Sequence, residues 1–221
     1  MNLAIGILLI INAFFFGSIP WGLILGKING IDIRNHGSKN IGATNVMRTI
    51  GIKMAILVFF LDFLKGFIFP FLFQVQVIPI DFAIPISKDI YLAPALCGLM
   101  SIIGHCFSIF LLGKGGKGVS TGLGIVAGFS PVAGITCFVV FILVVFLTKY
   151  VSLGSIIGAL TSVLVSGFED FYWSHPVFIS SWSTLSTYVH FTVVSLAVLI
   201  IIIKHHTNIK RLFLKTEPKI K

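Results

Sequence analysis

Six apolar runs, at about residues 3–25, 53–75, 91–112, 121–148, 151–168 and 187–203, decide most of what this chain can become. Each is long enough, or nearly so, to cross a bilayer as a helix that satisfies its own backbone hydrogen bonds. Charged residues make up only 10% of the 221 positions and apolar ones 57%, whereas a soluble domain is about a quarter charged. Lipid must therefore be the solvent for most of the surface. The expectation is an all-α integral membrane protein, with residues 1–221 forming a single polytopic domain. Met1 and Asn2 lead straight into apolar residues with no basic stretch, so the first run is expected to stay as a transmembrane helix rather than be removed as a signal peptide.

Parity sets the topology. The run 121–148 is long and contains Gly128 and Pro131. A break there predicts about seven membrane helices, with the N-terminus outside and the C-terminus cytoplasmic. Charge supports that count. Lys27, Arg34, Lys39, Arg48, Lys53, Lys114, Lys117, Lys149 and the basic residues from Lys204 onward then fall on one side, and only Lys88 on the other, with Lys65 inside a span. Asp81, Asp89, Glu169 and Asp170 fall outside. This is the positive-inside pattern, and an unbroken six-span arrangement loses it. Tyr172, Trp173 and Trp182 are expected as anchors at the outer interface.

The net charge of +9 would suit nucleic acid, but the cations sit in loops between apolar runs. Orientation and anionic substrates explain them better, and no nucleic-acid partner is expected. Cys97, Cys106 and Cys137 lie scattered in apolar segments without metal-ligand or redox spacing and read as small buried hydrophobes.

Three polar segments, 26–52, 113–122 and 204–221, share one face in this topology. The first gathers Ser38, Asn40, Thr44, Asn45 and Arg48 around Gly37 and Gly42. Glycines permit tight turns, and the forked cation of Arg48 suits phosphate. The second is Gly113-Lys-Gly-Gly-Lys-Gly-Val-Ser-Thr-Gly122. Here the amides of Gly115, Gly116 and Gly118, the cations of Lys114 and Lys117, and a helix starting near Val119 would make an anion cradle. Gly118-Val-Ser-Thr-Gly122 matches a nucleophile elbow by letters, but that elbow needs an α/β sheet, which these runs do not offer. In the third segment, His205, Asn208 and Arg211 stand at spacing three and would share a helix face if the last span continues, with Glu217 beyond. Asp62 and Lys65 could pair within a span, where ionisable groups are functional suspects. Ser152 and Ser155 begin a span; serines there are usually caps, though one could reach a ligand phosphate. His105, beside the glycine segment, reads as a packing residue.

Together these segments resemble the bacterial glycerol-3-phosphate acyltransferases that use acyl phosphate as donor. The resemblance lies in Gly17-Ser-Ile-Pro20, Gly30-Ile-Asp-Ile-Arg34, His36-Gly-Ser-Lys-Asn-Ile-Gly-Ala-Thr-Asn45, Asp62-Phe-Leu-Lys-Gly66, Gly104-His105, Lys114-Gly-Gly-Lys-Gly118, Tyr150-Val-Ser-Leu-Gly-Ser155, and His205 through Asn208 to Arg211. It implies a seven-helix enzyme of the bacterial cytoplasmic (inner) membrane, with its site on the cytoplasmic side. It implies that Ser38, Arg48, Lys117, Ser155, His205 and Asn208 hold phosphate groups, and that Glu217 takes part. The expected substrates are acyl phosphate and glycerol 3-phosphate. A soluble phosphate acyltransferase that makes acyl phosphate is a candidate partner. The chain departs from the usual pattern at Ser120, His206, Thr207 and Lys215.

No His-x-x-x-x-Asp pair occurs, so a general base of that kind is absent. The expected chemistry is direct attack of the 1-hydroxyl on the acyl carbonyl, with no cofactor and no metal. A transporter would instead place polar residues at mid-membrane in two repeated halves. A lipid-binding protein without activity would have no use for the glycine segment.

Overall fold

The computed structural model describes residues 2–82, 84–87, 90–172 and 184–220. Lys88, Asp89, Trp173 and Trp182, which carried part of the topology argument, lie outside them. The first apolar run forms two helices, α1 (Asn2–Ser18) and α2 (Trp21–Ile28), bent by 41°. The bend falls at Pro20, which has no N–H to give and whose ring crowds the carbonyl four residues back. A 3₁₀ turn (Ile33–Asn35) and a short helix α3 (Ala43–Thr49) follow in the polar loop. Next come α4 (Ile52–Gln74) and α5 (Ala93–Cys106), joined through a two-stranded antiparallel pair, β1 (Pro85–Ser87) and β2 (Ile90–Tyr91), that the all-helical expectation did not include.

The long run 121–148 breaks at Ser130, between Gly128 and Pro131, as expected. It gives α6 (Val119–Phe129) and α7 (Pro131–Thr148), with the Ser130 hydroxyl capping the Ala133 amide. The chain ends with α8 (Val151–Tyr172), α9 (Thr184–Lys204) and α10 (His206–Phe213), the last two bent by 59° around His205. The tail therefore does not continue α9. Among the described residues, four helices are individually long and apolar enough to cross a bilayer, and up to six if each bent pair counts as one span. With 11 residues, α6 reaches only about 16 Å, roughly half a hydrocarbon core.

The bundle carries its large apolar side chains outward as well as inward. Leu147 is 76% exposed, Leu164 74% and Phe146 68%, a surface only lipid can cover. Helices α4 and α6 pack at backbone distance. A methyl group at Gly66 would collide with the Thr121 carbonyl, and one at Gly124 with that of Phe63, the small-residue contact typical of membrane helices. Ile102, Ile125 and Ile201, with Cys106, join α5, α6 and α9; Cys97 and Cys137 are buried in neighbouring clusters, as expected, and the three cysteines form no disulfide. A separate core of Leu23, Ile33, Ile41, Val46, Ala55 and Val58 pins the first polar loop onto α2 and α4. Helix α1 starts beside Phe82 and Ile84, whereas the tail residues Glu217 and Pro218 line the main cleft.

Candidate active site

The first loop owes its shape to Asn45. This residue is 1% exposed. Its amide nitrogen donates toward the carbonyls of Ile33, His36 and Asn40 at 3.0, 3.1 and 2.8 Å, and its oxygen accepts from the Ser38 amide at 2.8 Å. Gly37 above it has φ +57°, and a side chain there would strike the Asn45 oxygen. Gly42 has φ −80° and needs no glycine for its torsion; it caps α3 while its amide donates to Asn40 Oδ1 at 2.9 Å. Asn45 and Asn40, candidate substrate-binding residues of the first polar segment, both line the cleft, but their hydrogen-bonding groups largely hold the loop. Ser38, Thr44 and Arg48 present their side chains along the same wall.

The glycine segment divides in two. The amides of Gly113, Lys114, Gly115 and Gly116 donate to the carbonyls of Ser108, Leu111, Cys106 and His105, so they are not open to an anion. Gly115 and Gly116 therefore do not form the expected cradle, and neither they nor the exposed Lys114 lines the cleft. Lys117, Gly118, Val119 and Ser120 do. Gly118 has φ +81° and turns the chain into α6, and Val119 and Ser120, which carry its first amides, line the cleft. Those amides have no intrahelical acceptor and carry the positive end of the helix dipole. Among the described residues the one sheet is the β1–β2 pair, which does not include the segment before Ser120 that an elbow needs.

From the other side come Val151, Ser152 and Ser155 of α8, His205 at the α9–α10 bend, Asn208 and Arg211 of α10, and Glu217 with Pro218 of the tail. The bend does what a straight helix was expected to do: it brings all three spaced residues to one wall. Lys117 donates to the Asn208 oxygen, Asn208 to Glu217 Oε1 at 2.6 Å, and Arg211 Nε to Glu217 Oε2 at 2.6 Å. Arg48 reaches the Pro218 carbonyl at 3.4 Å, and the Ile220 amide donates to the Lys149 carbonyl at 2.9 Å. The tail is thus a strap tied to the first loop, to α10 and to the α7–α8 corner. Ser155 donates to the Val151 carbonyl at 2.9 Å, the bland role serines have in helices.

Burial lowers the Lys117 ammonium to about 8, against the pull of Glu217. His205, just beyond α9, is pushed down by burial to about 4 and is neutral at pH 7. Its Nδ1 lies 2.8 Å from the Ile201 carbonyl, so Nδ1 bears the proton and Nε2 is an acceptor. Burial pushes the Glu217 carboxyl up, but hydrogen bonds from Asn208 and Arg211 outweigh it and hold the group below its ordinary range. The cleft encloses about 1520 Å³, open mouth included. Phe59, Val119, Phe141 and Ser155 are shared with a second, almost wholly apolar cleft of about 590 Å³, open sides included, between α4, α6, α7, α8 and α9. Asp62, a functional suspect by sequence, and His105, which reads there as a packing residue, both line the polar cleft. Their signal was there, since an ionisable residue in a span is rarely idle.

The family described as "Glycerol-3-phosphate acyltransferase" matches residues 7–215. This chain belongs to that family. The glycerol-3-phosphate acyltransferase of Bacillus subtilis (strain 168) is 40% identical over 215 residues, covering 97% of each chain. That of Trichlorobacter lovleyi is 43% identical over 216 residues, covering 98% of each. A crystal structure of PlsY (YgiH), an integral membrane glycerol 3-phosphate acyltransferase in its glycerol 3-phosphate form, is similar with a TM-score of 0.81 and 35% identity, covering 98% of this chain and 96% of that one. Its lysophosphatidic acid form gives 0.76 and 33% identity, covering 98% and 95%. The membrane architecture and acyltransferase class inferred from the residues are those of this family, and the chain is a multi-pass membrane acyltransferase.

Proposed function

We propose that this acyltransferase moves an acyl chain from acyl phosphate to the 1-hydroxyl of glycerol 3-phosphate, releasing 1-acylglycerol 3-phosphate and inorganic phosphate. The observation that carries the reading is the join between the two clefts. A polar chamber with Arg48, Lys117, Arg211 and the α6 amides opens, across Phe59, Val119, Phe141 and Ser155, into an apolar groove inside the bundle. An amphiphile with a phosphate head and an acyl tail fits that shape. The relatives' names supply glycerol 3-phosphate as acceptor.

In the reaction, the glycerol 3-phosphate hydroxyl oxygen attacks the acyl carbon, the bond from that carbon to the phosphate oxygen breaks, and the departing phosphate takes the hydroxyl proton. A mixed anhydride has a good leaving group, so the protein's task is placement and neutralisation of converging anions. Cations and helix amides do the second. His205, neutral with Nε2 unprotonated, is suited to accept the hydrogen bond of a substrate hydroxyl and orient it. Ser38, Asn40, Thr44, Asn45, Ser155 and Asn208 shape the walls, and Glu217 keeps Asn208 and Arg211 in place.

The chain is read as seven helical passes, counting the short α6, with the N-terminus outside and the cleft on the cytoplasmic side of a bacterial inner membrane. The cations gathered at the cleft end support this orientation. The test is a purified sample in detergent, given labelled glycerol 3-phosphate and, in separate arms, acyl phosphate, acyl-CoA and acyl carrier protein thioester. Lysophosphatidic acid is expected from acyl phosphate alone. A product made only from a thioester overturns the donor, and an acylated Ser or Cys trapped in turnover overturns direct attack.

A further inference from the structure

Ionised groups inside a membrane protein are costly, and a well-packed apolar replacement is often no less stable. Asp62 and Lys65 of α4 and His105 of α5 are nevertheless 3%, 1% and 5% exposed. Lys65 Nζ lies 2.6 Å from Asp62 Oδ1 and 3.4 Å from His105 Nδ1, and the imidazole is 3.6 Å from the same carboxylate oxygen. Stability alone gives no reason for three such groups, so a use is to be sought in what they touch.

They touch the glycine segment at both ends. The His105 carbonyl accepts from the Gly116 amide at 2.9 Å, and its imidazole lies so close over Gly116 that no side chain fits there. The Asp62 carbonyl accepts from Thr121 Oγ1 at 2.9 Å. Between Gly116 and Thr121 lie Lys117 and the first amides of α6, on residues that line the cleft. The imidazole thus packs directly on Gly116, the residue that precedes Lys117.

We propose that Asp62, Lys65 and His105 are positioning residues: the buried ion cluster sets the imidazole, and the imidazole sets Lys117 for phosphate. This rests on the cleft being the phosphate site. It separates the cluster from mere cement, because a positioning group matters only while the group it positions is present.

A double-mutant cycle with His105→Ala and Lys117→Ala tests it, on the full chain in detergent. It is read in kcat/KM for glycerol 3-phosphate and in binding of inorganic phosphate by calorimetry, with thermal unfolding beside both. His105→Ala is expected to lower kcat/KM and phosphate affinity by about tenfold with Lys117 present, and by less than about twofold once Lys117 is already alanine. His105→Asn, which keeps a polar atom near Nδ1, should recover to within roughly threefold of the parent. If His105→Ala does not fold, Asp62→Asn, which removes the carboxylate charge facing the imidazole, replaces it in the same cycle. Losses that multiply in the double variant overturn the proposal. A parent protein that makes no lysophosphatidic acid counts against the acyltransferase reading alone, and the phosphate-binding cycle then decides this one.

Discussion

Lys117 and Asn208, ninety-one residues apart, meet through a direct hydrogen bond from the ammonium to the amide oxygen. The contact closes the cleft between the start of α6 and the surface helix α10. It leaves the ammonium partly desolvated, and therefore ready to take a stronger acceptor such as a phosphate oxygen. The glycine segment and the tail are chemically one site.

Glu217 is the centre of the strap. Glu217→Gln places an amide where Arg211 now meets a carboxylate oxygen at 2.6 Å, removing one charge-assisted bond. Such bonds are worth about 1.5–3 kcal/mol, so kcat/KM should fall by roughly tenfold to a hundredfold. Steady-state kinetics on the variant, with its thermal midpoint measured beside them, checks this.

The pH profile should report Lys117. Its folded value is lowered to about 8, so the cation is present below that pH and lost above it. For the free enzyme, kcat/KM for glycerol 3-phosphate should therefore decline as pH rises through about 8. Arginine keeps its charge to far higher pH, so Lys117→Arg, even if slower, should lose this alkaline limb.

Asn45 should matter for structure more than for contact. Asn45→Ala leaves the Asn40 carbonyl and the Ser38 amide without a partner, and takes one of two donors from the Ile33 and His36 carbonyls. Each buried polar group left unpaired costs about 1–3 kcal/mol. The variant should lose thermal stability and expose the loop to protease, whereas Ser38→Ala, at the exposed rim, should lower activity with little change in melting. Differential scanning fluorimetry beside limited proteolysis distinguishes them.

The apolar groove should select chain length. Ser162 lines it seven residues beyond Ser155, about 10 Å deeper along α8. Ser162→Phe should lower kcat/KM for long-chain acyl phosphates by roughly tenfold relative to short-chain ones, since each buried methylene contributes about 0.8 kcal/mol. Competition between two chain lengths in one tube reads the ratio directly.

Much of this arrangement can be read from the residues. Apolar runs placed α4, α5 and α7 to α9. Gly128 and Pro131 marked the break before α7, and the helix start at Val119 followed from the glycines before it. Other parts could not be read, because they are decided by distant partners. Asn45 looks like a ligand until its three carbonyls are seen around it. Gly115 and Gly116 look like an open anion nest, but Cys106 and His105, nine and eleven residues upstream, consume their amides. His105 is a packing residue by its local sequence, and joins Asp62 and Lys65 only because α4 and α5 pack together. The bend at His205 has no proline or glycine to announce it.

The most direct measurement is the rate of lysophosphatidic acid formation from acyl phosphate and labelled glycerol 3-phosphate by the parent and by Lys117→Ala, at matched helical content and melting temperature. The account predicts that the parent converts one acyl phosphate per product and that Lys117→Ala falls by at least about tenfold. Parental rates in Lys117→Ala would show that phosphate chemistry takes place elsewhere, and would contradict it.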